Sequence, residues 1–244
     1  MTDPTTPRFT LCVPLFDEED NVDPLLDEIE EVLAEVRPFE VCAVDDCSRD
    51  GTLDRLKAWK AAHSADWLKI VQVEKNGGQS AAVIAGATVA EGPFIMTMDG
   101  DRQNDPRDLV TMLHKLENEG VDGVTGIRKN RKDTFIRRWS SKIANSFRNF
   151  VTGDRIADSG CGIKGYKRDL FLAVPRFNGM HRFMATLVRC LGGTVVEIEV
   201  NHRPRVAGQA KYGIGNRAWR GVKDCFAIRW MRTRMIPFKV ARVD

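Results

Sequence analysis

The stretch MTMDGDRQNDP, residues 96–106, places acidic and amide side chains directly after an apolar run. The apolar run stops at Asp99, and Asp101 and Gln103 follow at alternate positions. Two carboxylates on either side of Gly100 repel each other unless a cation lies between them, and hard oxygen ligands suit Mg²⁺ or Mn²⁺. Because Asp and Gly are also common turn residues, the spacing leaves a metal site and an ordinary turn both open.

The end of the same stretch has a simpler interpretation. Asp105 followed by Pro106 is typical of a helix N-cap followed by proline at the first helical position. A cap explains Asp105, but it does not explain the two aspartates upstream.

Two other apolar runs also end in acidic residues. RFTLCVPL is followed by the acidic residues 17–20, and FEVCAVDD ends in Asp45 and Asp46. Short β-rich runs alternate with helical patterns, which predicts an α/β fold with a parallel sheet covered on both faces. The helices are predicted from Pro24 to Val36, from Thr52, from Gln79 and from Pro106. Because ligands bind at the carboxyl ends of strands in such sheets, three acidic strand ends predict a site at one edge.

The second acidic strand end favours a nucleotide ligand. Asp45 and Asp46 can hydrogen-bond the hydroxyls of a ribose or the edge of a base, as acidic residues do in nucleotide-binding folds. Ser48 or Asp50 is expected to cap the following helix, and a cap needs only one of them.

The second half of the chain has a different pattern. It contains a basic helical region from Phe135 to Val151, a glycine-rich stretch DSGCGIKGY, a helical segment from His181 to Leu191 and a strand-like run TVVEIEVNHRPR. No clear linker separates the halves. We therefore expect one domain over residues 1–214, followed by the segment 215–244.

Residues 160–165, GCGIKG, match the G-x-G-x-x-G pattern of dinucleotide sites. No strand immediately precedes the pattern and it does not open the first βαβ unit, so we do not expect a dinucleotide there. The sequence also has no Walker-type glycine loop, no nucleophile elbow and no metal-ligand spacing among its histidines.

The composition is that of an ordinary soluble protein, with 244 residues, 43% hydrophobic content and a net charge of +3. This charge does not indicate a nucleic-acid partner, but the basic stretches 128–148 and 217–242 favour anionic ligands or a lipid surface. Six cysteines without regular spacing indicate reduced thiols. The N-terminus has no apolar leader and no run approaches the roughly 18 apolar residues of a membrane span, so we expect a cytoplasmic protein that is not integral to a membrane.

The C-terminal segment carries apolar and aromatic residues near helical spacing, with arginines between them: Trp219, Val222, Phe226, Trp230 and Met231. This pattern predicts an amphipathic helix. A helix that packs on the core and an interfacial helix on a membrane surface both fit the pattern.

Taken together, seven motifs resemble family 2 glycosyltransferases of the GT-A fold. They are VPLFDEEDNV, VDDCSRDGT, NGGQSAAVIAGATVAEG, MDGDRQNDP, DSGCGIKGYKRD, HRF and HRPRVAGQAKYG. In this order they are similar to the polyprenyl-phosphate sugar transferases, the group of dolichyl-phosphate mannose synthase. The resemblance implies a GT-A, Rossmann-like fold with a central, mostly parallel sheet flanked by helices.

The resemblance also assigns the donor site. Asp99 and Asp101 match the D-x-D motif that holds Mg²⁺ or Mn²⁺ against the diphosphate of a nucleotide-sugar, with Gln103 as a further ligand. The residues that match nucleotide-sugar contacts are Pro14, Phe16, Glu18, Asp45, Asp46, Asp99, Gly100, Gln103, Arg128, Arg205 and Lys211.

The acceptor side is assigned in the same way. Asp158 and Asp101 match catalytic positions, and Asp158 is where the family's base is usually proposed. A phosphate acceptor is already largely ionised at neutral pH, so we expect Asp158 to orient groups instead of accepting a proton. The residues expected to bind acceptor phosphate are His181, Arg182 and Arg203, and a mobile loop bearing Arg203, Arg205 and Lys211 is expected to close over phosphates.

Three positions depart from the pattern of the family. Arg102 stands where many members have leucine, Cys47 where glycine is common, and Ala210 where serine is usual. None of these differences removes an expected metal ligand.

The resemblance implies metal-dependent, inverting transfer of a sugar from a nucleotide-sugar of the GDP-mannose or UDP-hexose type to a polyprenyl (dolichyl or undecaprenyl) phosphate. It implies a peripheral enzyme on the inner face of the cytoplasmic membrane, with no nucleic-acid partner. Assembly as a homo-oligomer or with a membrane partner protein is left open. The alternatives are a soluble or glycan acceptor on the same fold, and a nucleotide-sugar-binding protein without catalysis.

Overall fold

The structure is a computed structural model that describes residues 6–128, 135–204 and 215–236. The described residues form a seven-stranded sheet with helices on both faces. The strands are β1 Thr10–Leu15, β2 Glu40–Asp45, β3 Leu68–Gln72, β4 Phe94–Thr97, β5 Gly123–Arg128, β6 Lys164–Lys167 and β7 Val195–Val200.

The strand order is β3-β2-β1-β4-β6-β5-β7. All neighbours are parallel except β6, which runs antiparallel to both β4 and β5. The predicted α/β fold with a mostly parallel sheet is confirmed.

Eight α-helices are described: α1 Glu19–Leu33, α2 Thr52–His63, α3 Gly78–Val89, α4 Arg107–Asn118, α5 Phe135–Thr152, α6 Arg168–Ala173, α7 Met184–Cys190 and α8 Gly215–Arg234. Two short 3-10 helices, Ala34–Val36 and Met180–Arg182, follow α1 and precede α7. The predicted C-terminal helix is confirmed as α8.

The predicted start of the first helix at Pro24 was wrong. The helix begins five residues earlier, at Glu19. Its first turn is fixed by long-range hydrogen bonds that the sequence does not reveal. The Glu18 backbone N–H donates to Thr52 Oγ1 at 2.8 Å, and the Glu19 carboxylate accepts from the Gly51 N–H at 2.8 Å. These bonds hold the start of α1 against the start of α2.

The sheet buries side chains on both faces because successive residues of a strand point in opposite directions. In β1, Leu11 and Val13 face a cluster that includes residues of α1 and α4, whereas Cys12 faces a second cluster that includes residues of α3 and α7. These two cores fix the strands, and the strand ends carry the polar residues. All six cysteines are free thiols and four of them are buried.

Helix α8 packs against α5 and α7. Its residues Cys225 and Ile228 are buried, and two of its arginines bind the last carbonyls of α5 and the residue that follows: Arg229 donates to the Val151 oxygen at 3.1 Å, and Arg232 to the Thr152 oxygen at 2.7 Å and to the Gly153 oxygen. Such bonds satisfy carbonyl groups that a helix end leaves unpaired. Within the described ranges, none of the helices combines the length and apolarity needed to cross a bilayer.

Candidate active site

The acidic strand ends lie together at one edge of the sheet. Strands β2, β1 and β4 are adjacent and parallel, so their carboxyl ends point in the same direction. Asp45 closes β2, and the loop with Asp99 and Asp101 follows β4. The predicted convergence of the second and third acidic strand ends is confirmed.

The first acidic strand end has a different role. The carboxylate of Asp17 accepts hydrogen bonds from the backbone and the side chain of Arg49, whose guanidinium also lies 5.2 Å from the ring of Phe16. With Glu19 bound to Gly51, these acids join the β1–α1 loop to the β2–α2 loop. These contacts show what Asp17 and Glu19 bind in the structure, and the predicted donor contacts of Phe16 and Glu18 stay predictions.

The loop after β4 is ordered by its own side chains. Asp101 Oδ1 accepts from the Gln103 N–H at 3.2 Å, and the Asp99 N–H donates to Asn104 Oδ1 at 3.4 Å. A Cβ at Gly100 would approach the Pro14 carbonyl oxygen to 3.1 Å and the Leu15 side chain more closely. Glycine therefore lets this loop lie directly on the end of β1.

Asp99 is held from two sides. Its Oδ1 accepts from Gln79 Nε2, in the first turn of α3, at 2.6 Å. On the other side it lies against Gly162, where a Cβ would approach Oδ1 to 2.8 Å and Oδ2 more closely. The Gly162 carbonyl accepts from Thr97 Oγ1 at 2.9 Å, which holds its backbone against β4. The orientation of the Asp99 carboxylate thus depends on the absence of a side chain at position 162.

The same loop is joined to the segment after β7. The Arg203 N–H donates to the Gln103 carbonyl at 2.8 Å, and Gln103 Nε2 donates to the Arg203 carbonyl at 3.2 Å. The guanidinium of Arg203 binds the carboxylates of Glu28 at 2.6 Å and Asp105 at 2.8 Å. Arg203 therefore anchors the loop in this structure, and its predicted contact with acceptor phosphate requires it to exchange these partners.

Asp105 caps α4 as predicted. Its Oδ1 accepts from the Arg107 N–H at 3.1 Å. In the β2–α2 loop it is Asp50 and not Ser48 that binds the start of α2, because Asp50 Oδ1 accepts from the Thr52 N–H at 3.0 Å. Ser48 instead accepts from the Asp17 N–H at 3.0 Å.

Asp45 and Asp46 are both buried at the end of β2. The two carboxylate oxygens of Asp46 accept from the N–H groups of Gly77 and Gly78, at 2.9 and 2.8 Å, where α3 begins. Burial raises the pKa of Asp46, and the two N–H donors partly oppose this shift. Asp46 therefore already serves as the anion at the N-terminus of α3, and its contact with a nucleotide stays a prediction, as does that of Asp45.

Asp158 is bound in a bidentate pair by Arg128. Arg128 Nε donates to Oδ2 at 2.7 Å and Nη2 to Oδ1 at 2.8 Å, and the Gly160 N–H donates to Oδ1 at 3.2 Å. Burial lowers the pKa of Arg128, whereas the hydrogen bonds and the charge of Asp158 raise it. The net shift is upward, so the guanidinium stays charged. These bonds give the Asp158 carboxylate a fixed orientation, and its orienting role in catalysis stays a prediction.

His181 lies in the 3-10 helix that precedes α7, and its side chain contacts α3. Its Nδ1 is 2.6 Å from Ser80 Oγ, and Ser80 Oγ also accepts from the Gly179 N–H at 3.0 Å. Arg182 Nε donates to His181 Nε2 at 3.4 Å. The imidazole therefore has a packed, hydrogen-bonded position beside the site, and phosphate binding by His181 and Arg182 stays a prediction.

Lys164, the first residue of β6, is buried behind the acidic loop. Its Nζ donates to the His181 carbonyl at 2.6 Å and to the Ser159 carbonyl at 3.4 Å. Burial lowers the pKa of Lys164 to about 8, although the charges of Asp99 and Asp158 oppose this shift. Lys164 and Asp99 also line a cavity of about 20 Å³, which has room for one water molecule.

Asp99 and Asp101 fit the coordination of a small divalent cation. Within the described part of the chain, no group of three or more histidine, cysteine, aspartate or glutamate side chains is arranged to hold a metal ion. Mg²⁺ is usually bound by one or two carboxylates together with substrate phosphates and waters, so two aspartates are enough when the ligand brings a diphosphate. The amide nitrogen of Gln103 is bound to Arg203, and its role as a ligand stays a prediction.

Three residues at the site were not assigned from the sequence: Gln79, Gly162 and Lys164. All three residues lie in stretches that contributed to the family resemblance, but the motifs alone gave none of them a role at the site. In the structure the glycine-rich stretch DSGCGIKGY leads into β6 in the middle of the sheet, not from a strand into a helix. Arg205 and Lys211, the remaining predicted phosphate contacts, lie outside the described residues.

A sheet of this order with two aspartates at its carboxyl edge is typical of the GT-A fold. The model of the Glycosyl transferase family 2 matches residues 10–174, and the chain belongs to this family. It is therefore a glycosyltransferase by descent, as predicted.

Two curated relatives share most of this chain. Dodecaprenyl-phosphate galacturonate synthase from Rhizobium johnstonii is 36% identical over 235 residues, which cover 94% of this chain and 69% of the relative. Undecaprenyl-phosphate 4-deoxy-4-formamido-L-arabinose transferase from Serratia proteamaculans is 29% identical over 208 residues, which cover 85% of this chain and 63% of the relative. The predicted similarity to polyprenyl-phosphate sugar transferases is confirmed, and the chain spans about two thirds of the length of these relatives.

Solved structures show the same fold. A mannosyltransferase from Pyrobaculum calidifontis, in complex with GDP-Man and Mn²⁺, superposes with a TM-score of 0.66 and 22% identity, covering 95% of this chain and 66% of that one. Glucosyl-3-phosphoglycerate synthase from Mycobacterium tuberculosis, with Mn²⁺, UDP and phosphoglyceric acid, has a TM-score of 0.68 and 14% identity, covering 93% and 78%.

Proposed function

We propose that this chain transfers a sugar from a nucleotide-sugar to a polyprenyl phosphate, with Mg²⁺ or Mn²⁺ as cofactor. The observation that carries the proposal is the position of Asp99 and Asp101 at the carboxyl edge of β4, in a family 2 glycosyltransferase whose relatives include two polyprenyl-phosphate sugar transferases. The nucleotide-sugar donor is of the GDP-mannose or UDP-hexose type.

Asp99 and Asp101 would hold the cation, and Gln103 would add an oxygen ligand. When bound, the cation neutralises the donor diphosphate and stabilises the departing nucleoside diphosphate. Gln79 and Gly162 support this arrangement, because together they fix the orientation of the Asp99 carboxylate. The edge of the sheet thereby offers a preformed site for the leaving group.

The acceptor needs no strong base. An oxygen of the polyprenyl phosphate attacks the anomeric carbon, the bond from this carbon to the diphosphate oxygen breaks, and the configuration of the anomeric carbon inverts. A phosphomonoester has a second pKa of about 6 and is already mostly ionised at neutral pH. The pairing of Asp158 with Arg128 supports a role in positioning this acceptor or the diphosphate.

We place the enzyme at the inner face of the cytoplasmic membrane through α5 and α8. These adjacent helices expose large apolar side chains: Ile143, Phe147, Phe150, Trp219, Phe226 and Trp230. Ile236, two residues after α8, is also exposed. Trp219 and Trp230 are each 63% exposed. The sequence had left open whether α8 packs on the core, and its exposed aromatic residues support the interfacial alternative. The segment 215–244 would then form the membrane-facing part of the chain.

The test of the donor site is turnover with a panel of nucleotide-sugars, followed as release of the nucleoside diphosphate. We expect one donor to be used, activity to be lost in EDTA and to return with Mg²⁺ or Mn²⁺. Asp101→Asn should reduce the rate by at least about a hundredfold, because a ligand loses its charge. Asp66→Asn, an exposed aspartate on another loop, is the control. Full activity in EDTA would refute the metal site.

A further inference from the structure

A second cavity lies beside the candidate active site. It has a volume of about 590 Å³ and lies between the start of α3, residues 178–182 and helix α8. Residues 178–182 include the 3-10 helix Met180–Arg182. Its size is within the range of small-ligand sites. None of the residues contributed by α8 had been assigned a role in ligand binding.

The cavity is predominantly basic. Arg182, Arg220 and Lys223 line it, against the single carboxylate of Asp224. Burial raises the pKa of Asp224, and the nearby charges of Arg182 and Arg220 oppose this shift. Asp224 also lies over Gly179, so that a Cβ there would approach its Oδ2 to 3.0 Å. The carboxylate is therefore placed near both guanidinium groups, and the described lining of the cavity has three basic side chains against one acidic one.

The N-terminus of α3 does not supply this charge. Although residues 76–79 line the cavity, the N–H groups of Gly77 and Gly78 already donate to Asp46. An anion in the cavity would depend on side chains, in particular those of α8.

Two residues connect the cavity to the metal-binding aspartate. Gln79 and His181 line both this cavity and the small one behind Asp99, and Gln79 donates directly to Asp99. A ligand bound among Arg182, Arg220 and Lys223 is thus separated from Asp99 by one layer of side chains. This proximity distinguishes the cavity from a general basic surface.

We infer that this cavity binds the phosphate monoester of the acceptor, with Arg220 and Lys223 of α8 as its ligands together with Arg182. The inference rests on the proposed function and adds its acceptor subsite. A phosphomonoester carries between about −1.5 and −2 charges at neutral pH, and arginine binds phosphate in a bidentate manner. The exposed ring of Trp219, 5.7 Å from Lys223 Nζ, provides apolar surface where the prenyl chain leaves the cavity.

The test is direct binding of a short, water-soluble prenyl monophosphate to the full chain by calorimetry, in EDTA so that no metal contributes. Arg220→Gln and Lys223→Gln should each weaken binding about tenfold or more, since each removes a charge-assisted hydrogen bond. Both side chains are exposed, so the variants should fold. Arg155→Gln and Lys57→Gln, matched exposed residues that line neither cavity, should bind as the wild type does. Unchanged affinity in both α8 variants, or equal weakening in the controls, overturns the inference.

Inorganic phosphate and vesicles separate the remaining outcomes. If the wild type binds inorganic phosphate through Arg220 but does not bind the prenyl monophosphate, the phosphate site stands and the polyprenyl acceptor of the proposed function fails. If it binds neither ligand while donor turnover persists, the cavity inference fails alone. If Arg220→Gln loses only binding to phosphatidylglycerol vesicles, the cavity holds a phospholipid headgroup and the acceptor subsite is refuted.

Discussion

The orientation of Asp99 can be perturbed without removing any functional group, by replacing Gly162 with alanine. The added Cβ would lie 2.8 Å from Asp99 Oδ1 and nearer still to Oδ2, so the carboxylate must move by on the order of 1 Å. Gly162 does not have a positive φ, so alanine causes no backbone strain. A displacement of this size at a reacting centre costs about a hundredfold in rate, or about 2.7 kcal/mol.

The assay is kcat/KM for the nucleotide-sugar, with the Mn²⁺ concentration for half-maximal activity measured alongside. Gly162→Ala should lower kcat/KM by about a hundredfold. It should also raise the Mn²⁺ concentration for half-maximal activity, because the displaced carboxylate is a poorer ligand. Gly221→Ala is the control, since a Cβ at Gly221 has no neighbour within 4 Å. If Gly162→Ala folds and retains wild-type kinetics and metal dependence, activity does not depend on the orientation of the Asp99 carboxylate, and the reasoning is refuted.

Three further predictions concern stability and membrane binding. Cys47 has φ of +62°, so Cys47→Gly should raise the free energy of unfolding by about 1 kcal/mol in urea titration, whereas Cys47→Ala, which keeps the strain, should not. Burial lowers the pKa of Lys164 from 10.5 to about 8. Between these pH values Lys164 is protonated in the unfolded chain and neutral in the folded chain, so the free energy of unfolding rises with pH. At about 1.4 kcal/mol per pH unit, the stability of the wild type relative to Lys164→Met should increase by about 3 kcal/mol across this window in EDTA, and a constant difference would contradict the assignment. Flotation with anionic vesicles should recover the chain at low salt and less of it as salt rises, and Trp219→Ser with Trp230→Ser should reduce recovery; equal recovery by this double variant would show that the exposed face does not bind lipid.

Strands β1 to β4 could be predicted because they are mostly apolar runs separated by helical patterns. Strands β5 and β6 were missed for a physical reason. Both contain glycine, which weakens the pattern of a strand, and β6 runs antiparallel between two strands that come earlier in the chain. The start of α1 was misplaced because contacts with residues 51 and 52 decide it, not local propensity.

The candidate site was predictable where function requires an acidic group at a strand end. Asp99 and Asp101 met this condition. Gln79, Gly162 and Lys164 did not, because their importance comes from distances to Asp99 and His181 that only the folded chain creates. The pairing of Asp17 with Arg49 was also not predictable from the sequence, because the two residues lie 32 positions apart.

The central claim is that the aspartates at the end of β4 support transfer of a sugar to a polyprenyl phosphate. The most direct measurement is mass spectrometry of the lipid fraction after the full chain is incubated with its donor, divalent cation and undecaprenyl phosphate. We predict a glycosyl monophosphate lipid that forms with the wild type and with Asp66→Asn, and that falls to background with Asp101→Asn or in EDTA. Donor consumption without any lipid-linked sugar, or the same product from Asp101→Asn as from the wild type, would contradict it.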